Sequence, residues 1–298
     1  MKAFEGVYPA MLTPLNENLE LDEKGLRLEV DYLIERGVHG LVPLGSTGEF
    51  PYITVEEKKR VIDIVVEQAN RRVPVVVGTS AMGTDEVIQL SRHARDRGAD
   101  GLMINLPVYY PLTDDDVFNH YQAVAGAVDL PIMLYDFPAF THWEMSPELI
   151  SRLSRIENVV GIKETAPLEK VEQVIKIEKQ EPFNTFTGIS FIFLEALKLG
   201  AAGVICIIPN IAPREVAAIY DSFKAGDMEK ASRLQGDILP LVSLVAVPVQ
   251  SPVAKEAMRL LGLDIKPYVK MPLPQITEEQ KAMVKKTLTD LGMLQGGG

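Results

Sequence analysis

Gly98-Ala99-Asp100-Gly101-Leu102-Met103 carries the pattern that decides the fold of this 298-residue chain. A helical run stops at the first glycine, a natural place for the left-handed residue that ends a helix, and an apolar strand begins at the second. The pattern returns at Gly37-Val38-His39-Gly40-Leu41-Val42 and at Gly200-Ala201-Ala202-Gly203-Val204-Ile205. Two further strands enter through proline, in Val73-Pro74-Val75-Val76-Val77 and Leu130-Pro131-Ile132-Met133-Leu134. Amphipathic helices lie between them: Leu26, Val30, Leu33 and Ile34 share one face of the first, and Val87, Leu90 and Ala94 one face of another.

Continued along the chain, this reading predicts strands at 6–12, 40–44, 74–78, 101–105, 131–135, 159–163, 184–188 and 203–207, each followed by a helical stretch. Short apolar strands without alternation imply a parallel sheet covered on both faces. Eight such units close most simply into a (β/α)8 TIM barrel. An open doubly wound sheet is the alternative, but no G-x-G-x-x-G fingerprint follows the first strand. Three helical patterns near 227–246, 252–262 and 277–291 complete the chain. The expected organisation is a catalytic barrel over 1–225, a helical C-terminal region over 226–295 and a flexible Gly296-Gly297-Gly298 tail.

Composition narrows the function. Thirty basic against 41 acidic residues leave a net charge of −11, which argues against nucleic acid or an anionic membrane as partner. Cys206 is the single cysteine and sits in an apolar run, so it reads as a small buried hydrophobe and no intrachain disulfide forms. Neither a signal-peptide core nor a membrane-spanning run is visible, and the cytoplasm is the expected compartment. His39, His93, His120 and His142 are scattered without metal-ligand spacing, so no metal or cofactor is expected.

In a barrel, chemistry sits where strands end and loops begin. That rule selects Lys163, which closes the apolar run Val159-Val160-Gly161-Ile162 and is the only lysine at a predicted strand's C-terminal end. Burial disfavours an ammonium, so a lysine at such a lip can become a nucleophile toward ketones; a lysine snorkelling to solvent is the commoner reading. Tyr135 ends the fifth predicted strand and offers a phenol for proton transfer, although a core-edge tyrosine looks the same in sequence. Gly45-Ser46-Thr47-Gly48-Glu49 follows the second strand and can converge N–H and hydroxyl groups on a small carboxylate, or be a plain polar turn.

These segments, with Pro107 through Tyr110, Leu134-Tyr135-Asp136-Phe137-Pro138, Gly161-Ile162-Lys163-Glu164 and Pro252-Val253-Ala254-Lys255, resemble the dihydrodipicolinate synthase and N-acetylneuraminate lyase superfamily of class I pyruvate-dependent aldolases. The resemblance runs along nearly the whole chain. It implies a (β/α)8 barrel, a homotetramer built as a dimer of dimers, and no cofactor. It places Lys163 as the Schiff-base lysine, Tyr135 as the proton shuttle, and Ser46 and Thr47, with Gly48 beside them, on the pyruvate carboxylate. Tyr109 matches a tyrosine that crosses a subunit interface to complete a hydroxyl relay with Thr47. Phe140, Gly188 and Ile205 are expected to contribute to the substrate pocket.

Departures from the pattern bear on the substrate. Phe140 stands where dihydrodipicolinate synthases place an arginine for a substrate carboxylate, and an apolar ring cannot make that pair. Val55, Met82 and Val108 replace the residues of bacterial lysine-feedback sites, and Ile189-Ser190-Phe191 replaces the acidic residues of sialic acid lyases after Gly188. Phe140, Ile189 and Phe191 could make the distal pocket less polar than a sugar acid wants, while core burial is the simpler reading of Ile189 and Phe191. Tyr135 through Thr141 is most similar to 2-keto-3-deoxygluconate aldolases, with His142 in place of their next glycine. The expected reaction is therefore cleavage of a 2-keto-3-deoxy sugar acid, or a similar 2-keto acid, to pyruvate and an aldehyde. Dihydrodipicolinate-type condensation, a dehydratase using the same lysine, and a non-catalytic paralogue are the alternatives.

Overall fold

The structure, a computed structural model, describes residues 4–107, 109–177 and 183–294; Val108 and residues 295–298 lie outside that range. One sheet contains seven strands: β1 (Gly6–Pro9), β2 (Val76–Gly78), β3 (Gly101–Asn105), β4 (Ile132–Asp136), β5 (Val159–Glu164), β6 (Asn184–Thr187) and β7 (Gly203–Cys206). All pairings are parallel, in the order β1-β7-β6-β5-β4-β3-β2. Helices separate the strands, as an all-parallel α/β fold requires. Helix starts carry their own signals; Thr54 and Glu57, for example, form a capping box at the head of Val55–Ala69.

The strand expected at 40–44 does not form. Pro43 has no N–H to give and Leu44 takes a φ of 60°, so the ladder reduces to isolated bridges from Leu41 to Val75 and from Val42 to Ala10. Those bridges nonetheless touch both edge strands' neighbourhoods. The Val42 N–H donates to the Pro9 carbonyl at 3.0 Å, and the Val76 N–H to the Leu41 carbonyl at 2.9 Å.

The strands are buried on both faces, as their unbroken apolar runs anticipate. Tyr8, Val76, Met103, Met133, Phe186 and Ile205 pack together on one side. Leu102, Ile104, Leu134, Ile162 and Val204 join the larger cluster with the helices on the other. The C-terminal region holds helices Met228–Asp237, Leu239–Leu244, Ser251–Leu260 and Glu278–Asp290. The expected single helix over 227–246 is two, because Pro240 has no N–H for the Gly236 carbonyl one turn back. Among the described residues no helix is long and apolar enough to cross a membrane.

Gly203 faces Gly6 in the β1–β7 pair, and a Cβ there would overlap the Gly6 carbonyl oxygen. Gly203→Ala should therefore lower unfolding free energy by about 1–3 kcal/mol through overpacking. Helical Gly236, with open space around it, is the control: Gly236→Ala should leave stability unchanged or raise it by about 0.5–1 kcal/mol. Urea unfolding of both variants reads the difference.

Candidate active site

Parallel register places Tyr135 and Lys163 side by side at the C-terminal ends of β4 and β5. Lys163 is 4% exposed and its Nζ lies 4.0 Å from the centre of the Tyr135 ring. The Tyr135 hydroxyl is 3.1 Å from Ser46 Oγ, so phenol, amine and the Ser46–Gly48 turn form one continuous group. They open into a cavity of about 710 Å³, which Thr47, Phe140 and Gly188 also line.

Two expected pocket residues lie elsewhere. Ile205 is fully buried against Tyr8 and Phe186, and Cys206 and Ile207 supply the wall because β7 ends there. Gly48 sits against the segment that follows β1, where its carbonyl accepts from Thr13 Oγ1 at 2.7 Å. Tyr109 is 82% exposed, stacks edge-on with Tyr110 and does not line the cavity of its own chain. Phe191, expected in the core, is 55% exposed and lines the cavity with Ile189. His142 ends the short helix Pro138–Thr141 at a φ of 56°, a conformation that favours glycine, and stays off the cavity wall. Burial pushes the Cys206 thiol up to about 11, which keeps it neutral.

The turn at Ser46–Gly48 is held from behind. Glu49 takes a φ of 62° and buries its carboxylate completely. Lys255 Nζ donates to Glu49 Oε1 at 2.6 Å and to the Tyr268 carbonyl at 2.6 Å, while the Lys270 N–H donates to Glu49 Oε2 at 2.8 Å. Ser251 Oγ donates to the Thr47 carbonyl at 2.8 Å. Helix Ser251–Leu260 thus fixes the backbone beneath the two hydroxyls. Burial pushes the Lys255 amine below the ordinary lysine range, opposed by the nearby carboxylates of Glu49 and Glu29. Sequence reading singles out Lys255 within a motif but has no means of assigning its partner.

A second buried pair lies behind the strand ends. Residues alternate sides along a strand, so Asp136 and Glu164, also in register, point away from Tyr135 and Lys163. Asp136 Oδ2 accepts from the Met145 N–H at 3.0 Å. Burial pushes Asp136 up to about 7, with the Glu144 charge adding to the shift, and Glu164 up to about 9, with the charges of Asp136 and Glu144 adding to it. Lys170, paired with Glu144 at 2.6 Å, is the cation that opposes both shifts.

A buried amine beside a phenol, at the ends of parallel strands, is the arrangement of lysine-dependent carbon–carbon lyases. Comparison with known proteins makes the class specific. The model of the dihydrodipicolinate synthetase family matches residues 3–291. The 4-hydroxy-tetrahydrodipicolinate synthase of Syntrophus aciditrophicus (strain SB) is 36% identical over 292 residues, covering 98% of this chain and 99% of the relative. That of Methanothrix thermoacetophila is 37% identical over 294 residues, with 98% and 99% covered. The crystal structure of YagE, an E. coli K12 prophage protein of the dihydrodipicolinic acid synthase family in complex with pyruvate, superposes with a TM-score of 0.94. It is 32% identical and covers 97% of this chain and 99% of that one. The chain belongs to the dihydrodipicolinate synthetase family and is a pyruvate-dependent enzyme of the class I aldolase type.

Lys255→Met should cost about 3–5 kcal/mol, because it leaves the Glu49 carboxylate buried and unpaired. Adding Glu49→Gln should recover part of that loss in urea unfolding. The carboxyls behind the site give a pH dependence. Folded Asp136 and Glu164 hold protons that the unfolded chain has released, so their contribution is full below about pH 4 and is lost as pH rises through about 7 and 9. Asp136→Asn keeps the acceptor for the Met145 N–H and should flatten the fall between pH 4 and 7 by on the order of 2 kcal/mol.

Proposed function

We propose that this enzyme forms a Schiff base between Lys163 and the C2 ketone of pyruvate and makes or breaks the carbon–carbon bond next to it. The observation that carries the reading is the amine of Lys163, 4.0 Å from the Tyr135 ring on the cavity floor, with the Tyr135 hydroxyl 3.1 Å from Ser46. Ser46 and Thr47 hold the pyruvate carboxylate, Tyr135 moves the proton on the reacting oxygen, and the iminium is the electron sink for the enamine. The working scaffold is a (β/α)8 barrel over 1–225, in which residues 41–43 take the eighth strand's place, followed by the helical region 226–295. In a homotetramer, exposed Tyr109 would enter a neighbouring copy's site and reach Thr47; its 82% exposure supports that placement.

Names of the relatives favour the condensation direction, pyruvate with an aldehyde, ahead of sugar-acid cleavage. Cleavage of a 2-keto-3-deoxy acid keeps one supporting observation: Phe140 stands on the cavity wall where an arginine for the aldehyde's carboxylate is expected.

Borohydride reduction in the presence of pyruvate should leave a pyruvyl adduct on the Lys163 peptide, and none in Lys163→Ala. Tyr135→Phe should retain trapping and lose about 10²–10⁴-fold in turnover. An unlabelled Lys163 in folded wild-type protein overturns the proposal.

A further inference from the structure

The far end of the cavity is chemically distinct from its floor. Among the described residues lining it, Lys163 and Glu49 are the acidic or basic ones, and Glu49 is engaged by Lys255 and the Lys270 N–H. Pyruvate bound to Lys163 brings its own carboxylate, which the new iminium charge and the Ser46–Thr47 turn receive. Among the described residues no cation remains on the wall for a second carboxylate. The apolar part of the wall is Phe137, Phe140, Ile189, Phe191, Val245 and Leu273, beside the neutral polar side chains of Thr165, Ser190 and Gln250. Phe140 stacks on Phe137 with ring centres 4.1 Å apart, and Phe137 stacks on Tyr135 at 6.1 Å, so an aromatic surface runs outward from the reacting centre. Thr141 Oγ1, beside that surface, is taken up by the Phe137 and Trp143 carbonyls at 3.0 and 2.8 Å.

A carboxylate brought here would lose water without gaining a cation. An apolar chain would exchange water for ring faces. We propose that the distal half of this cavity selects an aldehyde with an apolar chain, aromatic or branched aliphatic, over one that bears a carboxylate. The proposal rests on the Lys163 Schiff-base reading. Condensation of the amine with pyruvate expels hydroxide, which takes a C3 proton and leaves as water, giving the enamine. Its C3 bonds to the aldehyde carbon while the aldehyde oxygen takes a proton from Tyr135. Water then hydrolyses the iminium, returning a proton to Tyr135 and freeing the amine and a 4-hydroxy-2-keto acid with no change of overall oxidation level.

The test measures kcat/KM for pyruvate consumption with benzaldehyde, 3-methylbutanal and aspartate semialdehyde, on protein first shown to trap pyruvate with borohydride. The two apolar aldehydes should exceed aspartate semialdehyde by about tenfold or more. Phe140→Arg, a change at a half-exposed position that folding tolerates, should move the preference toward aspartate semialdehyde. Equal or better use of the charged aldehyde by wild-type protein that traps pyruvate overturns this inference and leaves the Schiff base standing. Failure to trap pyruvate overturns both.

Discussion

The ammonium of Lys255 has no exposure to water, and its bond to Glu49 is the interaction on which the site depends. Two charges taken out of water are stable only with good geometry and further hydrogen bonds. Both conditions are met: the lysine also reaches the Tyr268 carbonyl, and the second carboxylate oxygen receives the Lys270 N–H. The consequence is mechanical. Glu49 is held in a left-handed conformation directly after the Ser46–Gly48 turn, and the turn's hydroxyls inherit that position. A C-terminal region that reads in sequence as packing or assembly material is therefore part of the site's framework.

Strand alternation explains why two kinds of buried polar group meet at one sheet edge. Tyr135 and Lys163 face the cavity, while Asp136 and Glu164, one residue on, face the helix layer. The inward pair lines the cavity, with the amine against the phenol ring. In the outward pair burial holds Glu164 protonated at neutral pH and brings the titration of Asp136 up to about 7. Apolar and polar needs are thus separated by the pleat of a single pair of strands.

Much of the fold was legible because its signals are local. Glycine at the helix ends and unbroken apolar runs located seven strands within a few residues. The segment at 40–44 misled because its apolar content matches a strand, while Pro43 and the φ of Leu44 break the ladder. Lys163 and Tyr135 were legible as strand-end residues, and Ser46 and Thr47 as a loop that follows one. Ile205 was misplaced because which residue of a strand end reaches the mouth depends on where the last pairing falls. Phe191 was read as core because an aromatic ring after a strand has the same sequence signature on a cavity wall.

Taken alone, the sequence determined the parallel α/β architecture, the family and the strand-end identity of the amine and the phenol. Each follows from periods, breakers and motifs that extend over a few residues. Only the tertiary structure decided that Lys255 meets Glu49 across 206 residues, that Val245 and Leu273 close the cavity, and that the aromatic stack runs outward from Tyr135. Those contacts depend on how separate layers pack against one another, and no local period along a chain encodes which distant side chains will share one buried space.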